Sequence, residues 1–263
     1  MVGFVGPLAG VGGGVLFTPL ALGLLGVDVN LARAGGLLVA MTTSSVAGSL
    51  YLWRGVANLR LVAYAGAAMS LGAFLGARLG LFLAGVEGGR RAVEMGLGVL
   101  LLLVVFVLAL GRRVEWPPRR VDRLAVWLGF VGEFWEESLG SVVRYGAGRT
   151  AWGLAAAFGV GLVSGVFGVG GGWALVPVFN LVMGLPLKVA VACSEATIAL
   201  GDAAAAATYL SAGFRPDFLV STQVGVALGA FLGARVAAFV KARVVRLVVL
   251  GVLLFAAANL LAP

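Results

Sequence analysis

The stretch "AGVGGGVLFTP", residues 9–19, returns in the second half of the chain as "FGVGGGWALVP", residues 167–177. When the chain is shifted by 158 positions, residues 10–62 align with 168–220 without a gap, and 15 of the 53 positions are identical. The identities keep glycine and proline in register, which apolar composition alone rarely does. The sequence therefore indicates an internal duplication.

The composition is that of a membrane protein. Of the 263 residues, 61% are apolar and 11% are charged, and the mean hydropathy is +1.09. A soluble domain of this size carries roughly a quarter charged residues. Uncharged apolar stretches of about 20 residues, long enough to cross a bilayer, recur along the chain. They lie near 35–53, 61–77, 95–111, 153–184, 196–214, 218–234 and 247–263.

The formal net charge of +8 fits the Lys/Arg excess that membrane proteins place in cytoplasmic loops. We expect no nucleic-acid partner, because the arginines lie in short loops and form no patch with aromatic residues. Cys193 is the one cysteine and histidine is absent, so intrachain disulfides, cysteine or imidazole metal sites and Ser–His catalysis are excluded. We expect no cofactor and no metal. The N-terminus has no basic region before its apolar stretch, so we expect no cleaved signal peptide.

A charged segment separates the two repeats. Residues 112–150 carry seven arginines and interspersed tryptophans, and their longest apolar run, 124–132, is too short to span a bilayer. A cytoplasmic linker lying partly on the membrane surface fits this pattern. The predicted organisation is a first transmembrane repeat at 1–111, the linker, and a second repeat at 151–263.

The distribution of basic residues favours inverted repeats. Each half is predicted to hold its glycine segment and three spans, which in the first half lie near 31–53, 61–84 and 92–111. If the glycine segment crosses the membrane once, the 19 Lys/Arg divide 10 to 9 between the two faces. If it re-enters as a broken helix, the second copy is inverted and the division becomes 14 to 5. The positive-inside rule favours the second arrangement, with both termini outside.

The glycine segments are predicted to interrupt helices at membrane depth. Each glycine costs about 1 kcal/mol relative to alanine inside a helix. A half-helix restarting near Gly14 or Gly172 would point free N–H groups and a positive dipole end into the break. Transporters bind anionic groups in this way. Small residues also allow close helix packing, and this is what we expect of Gly72, Gly76, Gly229 and Gly233.

A family resemblance rests on these motifs. The doubled G-x-G-G-G-x4-P pattern, the AVACS stretch at 190–194 and the GAFLGAR segments at 72–78 and 229–235 resemble the sulfite exporter TauE/SafE family of membrane permeases. The resemblance covers nearly all of the chain except the linker. It implies a two-repeat transporter of small sulfur-containing anions such as sulfite, sulfonates or sulfoacetate, usually outward. Members often show Ala-x-Ala-Thr-Ser, whereas the first half here reads ARAGG (32–36) and lacks those hydroxyls.

Ionisable residues stand within the predicted spans. Glu195 and Asp202 lie seven residues apart and so share a helix face. Their aligned residues are Leu37 and Ser44, so the acids belong to the second half alone. We expect a role in proton coupling, since ionisable groups within a span are costly and functional by default. Alternatively, Glu195 lies near a span end or pairs with Arg33, which could itself be the fixed cation of an anion site or extend to the membrane interface.

The sequence thus predicts an all-α, polytopic protein of the plasma or inner membrane that works as a secondary transporter by alternating access between its repeats. Its partners would be a small anion, coupling protons and the lipid bilayer, and a homodimer is left open. The predicted substrate-binding residues are Gly12, Gly13, Gly14, Gly170, Gly171, Gly172, Ser194 and Arg33, with Glu195 and Asp202 as proton-coupling candidates. An anion channel could use the same half-helices. An intramembrane aspartyl enzyme would need a second aspartate in register with Asp202, and none is apparent.

Overall fold

The structure, a computed structural model, describes Gly3 and residues 13–23, 25–110, 114–117, 121–136, 139–212, 216–236 and 242–261. Within these ranges the first half contains α1 (Gly14–Gly23), α2 (Val29–Trp53), α3 (Leu59–Gly85) and α4 (Gly89–Leu110). The segment between the repeats contains α5 (Arg123–Leu128), β1 (Val131–Glu136) and β2 (Ser141–Gly146). The second half contains α6 (Thr150–Phe167), α7 (Gly172–Pro177, continued by a π-helical turn Val178–Val182), α8 (Leu187–Gly201), α9 (Ala203–Ala212), α10 (Pro216–Val236) and α11 (Ala242–Leu261).

Four of the described helical segments are long and apolar enough to cross a membrane, namely α2, α3, α6 and the combined α8–α9 segment Leu187–Ala212. Large apolar side chains cover the outer surface, as lipid contact favours: Trp53 is 85% exposed and Phe82 is 70% exposed. Two of these helices, α2 and α3, begin at a polar N-cap residue. The Asp28 side chain accepts the N–H of Asn30, and the Asn58 side chain accepts the N–H of Leu61. These features support the predicted helical membrane protein.

Helices α3 and α6 meet backbone to backbone. Four glycines, two from each helix, face carbonyl oxygens of the other helix so closely that an added Cβ would overlap them. They are Gly72 and Gly76, which face Phe158 and Leu162, and Gly161 and Gly165, which face Met69 and Ala73. The packing role predicted for Gly72 and Gly76 is confirmed.

The predicted linker contains a β-hairpin that the all-α prediction omitted. β1 and β2 pair antiparallel, with Val131 opposite Gly146, and Gly140 in the turn has a φ of 57°. Alternation is clearest in β1, where Phe134 and Glu136 are buried and Glu133 and Trp135 are exposed; in β2 the buried Tyr145 follows the exposed Arg144. The run 124–132, read as too short to span, supplies α5 and the start of β1.

The linker contacts both halves at one end of the molecule. In the first half, the Asn58 side-chain amide donates to the carbonyl oxygens of Gly129 (3.1 Å) and Val131 (3.2 Å). In the second half, Lys188 forms a 3.2 Å ion pair with Glu136. The N–H of Gly148 also donates to the carbonyl of Met183 at 2.8 Å, beside the start of α6. Both ends of the segment 150–182 therefore lie next to the linker.

Candidate functional site

Two short helices begin at aligned glycines. The carbonyl oxygen of Gly13 accepts the N–H groups three and four residues later, at 3.2 and 3.0 Å. The carbonyl oxygen of Gly171 does the same at 3.2 and 3.1 Å. α1 and α7 thus start at Gly14 and Gly172, and the N–H groups of their first turns have no intrahelical acceptor. Gly12 lies outside the described residues.

A glycine break separates α6 from α7. Gly168 and Gly170 have φ values of +70° and +74°, and the chain returns to helical geometry only after Gly171. Residues with a Cβ rarely adopt positive φ, so these two glycines allow the chain to turn here. The interruption predicted for the second half is therefore present, and it follows a complete helix.

The two glycine segments meet. The hydroxyl of Thr18, in α1, donates to the carbonyl oxygen of Gly168 at 2.5 Å. A Cβ added at Gly14 would lie 2.8 Å from the carbonyl oxygen of Val169, and one at Gly36 of α2 would overlap both Thr18 and Gly168. No side chain lies between these two backbone segments. The start of α1, in the first half, therefore packs directly against the glycine break between α6 and α7 in the second half.

Asp202, at the junction of α8 and α9, brings a carboxyl group to this break. Its Oδ1 accepts the hydroxyl of Ser164 at 2.7 Å. Its Oδ2 is buried, has no hydrogen-bond partner in the described part of the chain, and lies 3.3 Å from where a Cβ of Gly170 would sit. At the corresponding place in the first half, the N–H of Gly13 donates to the hydroxyl of Thr43 at 3.3 Å.

Arg33 packs directly on the break. It is fully buried, and its Cα, Cβ and Cγ lie where a side chain of Gly168 would otherwise be. Its Nη1 donates to Asn30 Oδ1 and to the carbonyl oxygen of Gly80, both at 3.1 Å, and its guanidinium lies 5.4 Å from the centre of the Tyr209 ring. Its Nε and Nη2 have no partner among the described residues. The Arg33 side chain is therefore enclosed by the protein.

The remaining predicted residues lie along α8. Glu195, in the interior of that helix, accepts the hydroxyl of Ser44 at 2.7 Å, and no ion pair with Arg33 is seen in the described ranges. Seven residues separate Glu195 from Asp202, about 10 Å along the helix. Ser194 is buried with an unpartnered hydroxyl, and no hydrogen bond joins it to either glycine segment within the described residues.

Sequence reasoning missed several groups that the fold brings to the break. They are Thr18, Ser164, Gly168 and Tyr209. Two of them carried a signal: Gly168 is the first glycine of the repeated GVGGG, and Tyr209 belongs to a Tyr-Leu pair that recurs at Tyr51. Ser164 aligns outside the gap-free region, so nothing in the repeat marked it.

Comparison with known proteins gives a consistent result. The sequence model of the family described as "Sulfite exporter TauE/SafE" matches residues 1–260. The chain is 27% identical over 221 residues to "Probable membrane transporter protein YunE" of Bacillus subtilis (strain 168), covering 81% of this chain and 76% of that protein. It is 28% identical over 187 residues to a "Probable membrane transporter protein" of Xylella fastidiosa (strain 9a5c), covering 71% of this chain and 61% of that protein. No solved structure matches the chain.

Proposed function

The chain belongs to the sulfite exporter TauE/SafE family, and on that premise we propose that it carries a small sulfur-containing or organic anion, such as sulfite or a sulfonate, out of the cell. The observation that carries this proposal is the meeting of α1 with the break before α7. Two half-helices begin beside this break, and Arg33 packs its aliphatic stem against Gly168, with Nε and Nη2 unpartnered among the described residues. Helix N-termini and guanidinium groups are the donors that oxyanions bind.

The substrate would lie between the amides of Gly13, Gly14 and Gly170–Gly172, beside Arg33. Gly12 and Ser194 belong to the same proposal, although Ser194 would have to be reached by a change in conformation. The tight contact between Thr18 and Gly168 supports a carrier with an occluded state rather than an open channel. The family and the names of its relatives support transport rather than catalysis.

We further propose that the two repeats, 1–111 and 151–263, are inverted and that the linker 112–150 lies in the cytoplasm. Lys188 and the loop before α3 both contact the linker, which supports a re-entrant segment at 150–182. Single cysteines introduced at Arg54 and Lys188 should react with an impermeant maleimide on one face of a sealed vesicle, and a cysteine at Asp28 on the other. Labelling of the cysteines at Arg54 and Lys188 from opposite faces would contradict the inversion.

Glu195 and Asp202 are proposed as the groups that couple transport to protons. Both are buried within the α8–α9 span, and each is held by one serine hydroxyl from another helix. A carboxyl group in such a site can bind and release a proton during each cycle.

A binding screen followed by flux measurements tests the function. Purified protein is heated with sulfite, sulfate, thiosulfate, alkanesulfonates or carboxylates, and a bound anion raises the unfolding temperature. We expect selective stabilisation by a sulfur oxyanion and saturable flux of that anion in reconstituted vesicles. Equal effects of all anions, or unitary currents in a planar bilayer, would contradict a selective carrier.

A further inference from the structure

Asp202 resembles the proposed substrate in charge and position. Its Oδ2 is buried, unpartnered within the described chain, and directed at the glycine break where α7 begins. It lies 3.3 Å from where a Cβ of Gly170 would sit, beside the backbone that leads into the first turn of α7. An ionised carboxylate at this place meets the same donors that an anion would use.

We infer that the ionised Asp202 carboxylate takes the place of the transported anion at the start of α7, so that an anion binds there only after Asp202 has taken up a proton. This inference rests on the proposed function and adds the rule that couples transport to protons: the anion binds only when Asp202 is protonated. Two negative charges within a few ångströms in a buried site repel strongly, whereas a neutral carboxyl group leaves the amides to the anion.

The two halves differ in whether a titratable side chain faces the half-helix, as this coupling rule requires. The first-half residue aligned with Asp202 is Ser44, and the N–H of Gly13 meets the neutral hydroxyl of Thr43. Among the described residues, therefore, only the second half-helix faces a group that can change its charge. The stoichiometry that follows is one proton taken up for each anion bound, and both leave together on the other side. No bond within the anion changes.

The charged and titratable neighbours do not replace Asp202 in this role. On α2, Arg33 packs against Gly168, yet no ion pair joins it to Asp202 in the described part of the molecule. On the α8–α9 segment, Glu195 is held by Ser44 and Tyr209 donates to the carbonyl of Gly165. α6 brings Ser164, and neither α6 nor α7 carries an ionisable side chain. The ionisable residues of α3 lie elsewhere: Arg60 and Tyr64 contact the linker, and Arg78 is exposed over the ring of Phe74.

Calorimetry of the purified protein with methanesulfonate and with thiosulfate tests the inference, because neither anion changes its charge near neutral pH. Titration in two buffers with different heats of ionisation gives the number of protons taken up per anion. At about pH 8 the wild type should take up close to one proton, and its affinity should fall about tenfold for each further pH unit. Asp202→Asn should take up none and bind equally at all these pH values. Asp28→Asn, the same change at an exposed capping residue, should behave as the wild type.

A second variant covers the case in which Asp202→Asn does not fold. Ser164→Ala removes one hydrogen bond to the charged carboxylate, so the loss of affinity should begin about one pH unit higher. Two results would overturn the inference and leave the proposed function standing. One is anion binding by the wild type without proton uptake, and the other is proton uptake that persists in Asp202→Asn. If neither anion, nor sulfite, binds at any pH, the proposed function fails and this inference fails with it.

Discussion

Replacing Arg33 with lysine separates the charge of this residue from the shape of its head group. Both side chains are cationic, so the long-range attraction for an anion is kept. Lysine lacks the planar Nε–Nη2 edge, which is the part of Arg33 that has no partner among the described residues. That edge can hold two oxygens of one oxyanion at once, as a single ammonium cannot.

The size of the effect follows from the donors lost. A hydrogen bond to a charged group contributes about 1.5–3 kcal/mol, so losing one of the two donors should weaken anion binding about ten- to hundredfold. Some stability should be lost as well, because Nη1 also supports the carbonyl of Gly80 at 3.1 Å. The unfolding temperature without anion must therefore be recorded beside the binding constant.

The assay compares dissociation constants of Arg33→Lys and the wild type for the anion that stabilises the wild type most. Arg78→Lys serves as the matched control, since Arg78 lies at the surface over the ring of Phe74 and should bind the anion normally. If Arg33→Lys folds and its dissociation constant for the anion is within twofold of the wild-type value, the unpaired edge of Arg33 does not bind the substrate. In that case the backbone amides alone would form the anion site.

Three further outcomes are expected. Gly171→Leu should abolish anion flux in vesicles of folded protein, because even a Cβ at this position would lie 2.6 Å from Met69. The control Gly159→Leu should transport normally, since a Cβ there would have nothing within 4 Å. Equal flux in the two variants would refute the amide site. Gly161→Ala should lower the unfolding temperature, since its Cβ would overlap a carbonyl group of α3. Gly159→Ala should raise the unfolding temperature, because it removes a helix penalty of about 1 kcal/mol. A higher unfolding temperature for Gly161→Ala than for Gly159→Ala would contradict the packing. Burial opposes ionisation of Asp122, but hydrogen bonds from Thr150 and Ala125 outweigh it and lower the pKa of this carboxyl below its ordinary 3.8. The stabilisation of the linker junction is therefore complete above that value and is lost as the pH falls through the lowered pKa. Proteolysis between α5 and α6 should speed up in the wild type as the pH is lowered below 3.8, but not in Asp122→Asn, and equal rates would contradict this.

The glycine break was predictable because its signal is local. Three consecutive glycines destabilise a helix wherever they stand, and the repeat placed the same triplet in both halves. The long apolar helices were predictable for a similar reason, since hydropathy depends on composition within one window. Both kinds of inference need no knowledge of which residues meet in three dimensions.

The partners of the break were not predictable, because they come from distant parts of the chain. Thr18 reaches Gly168 across 150 positions, and Ser164 reaches Asp202 from another helix. The alternative pairing of Glu195 with Arg33 was reasonable by charge. In the fold Glu195 meets a serine, and Arg33 meets an aromatic ring.

The glycine-lined contact between α3 and α6 limits how the two halves can move. Side chains at an ordinary helix interface can change rotamer as the helices slide, but here backbone lies on backbone over two turns. A shift of one residue along the axis would drive a bulky side chain into a carbonyl group. We therefore expect this contact to resist sliding of α3 along α6. If the halves alternate as proposed, the α3–α6 contact would serve as the rotation axis, so that opening on one face closes the other.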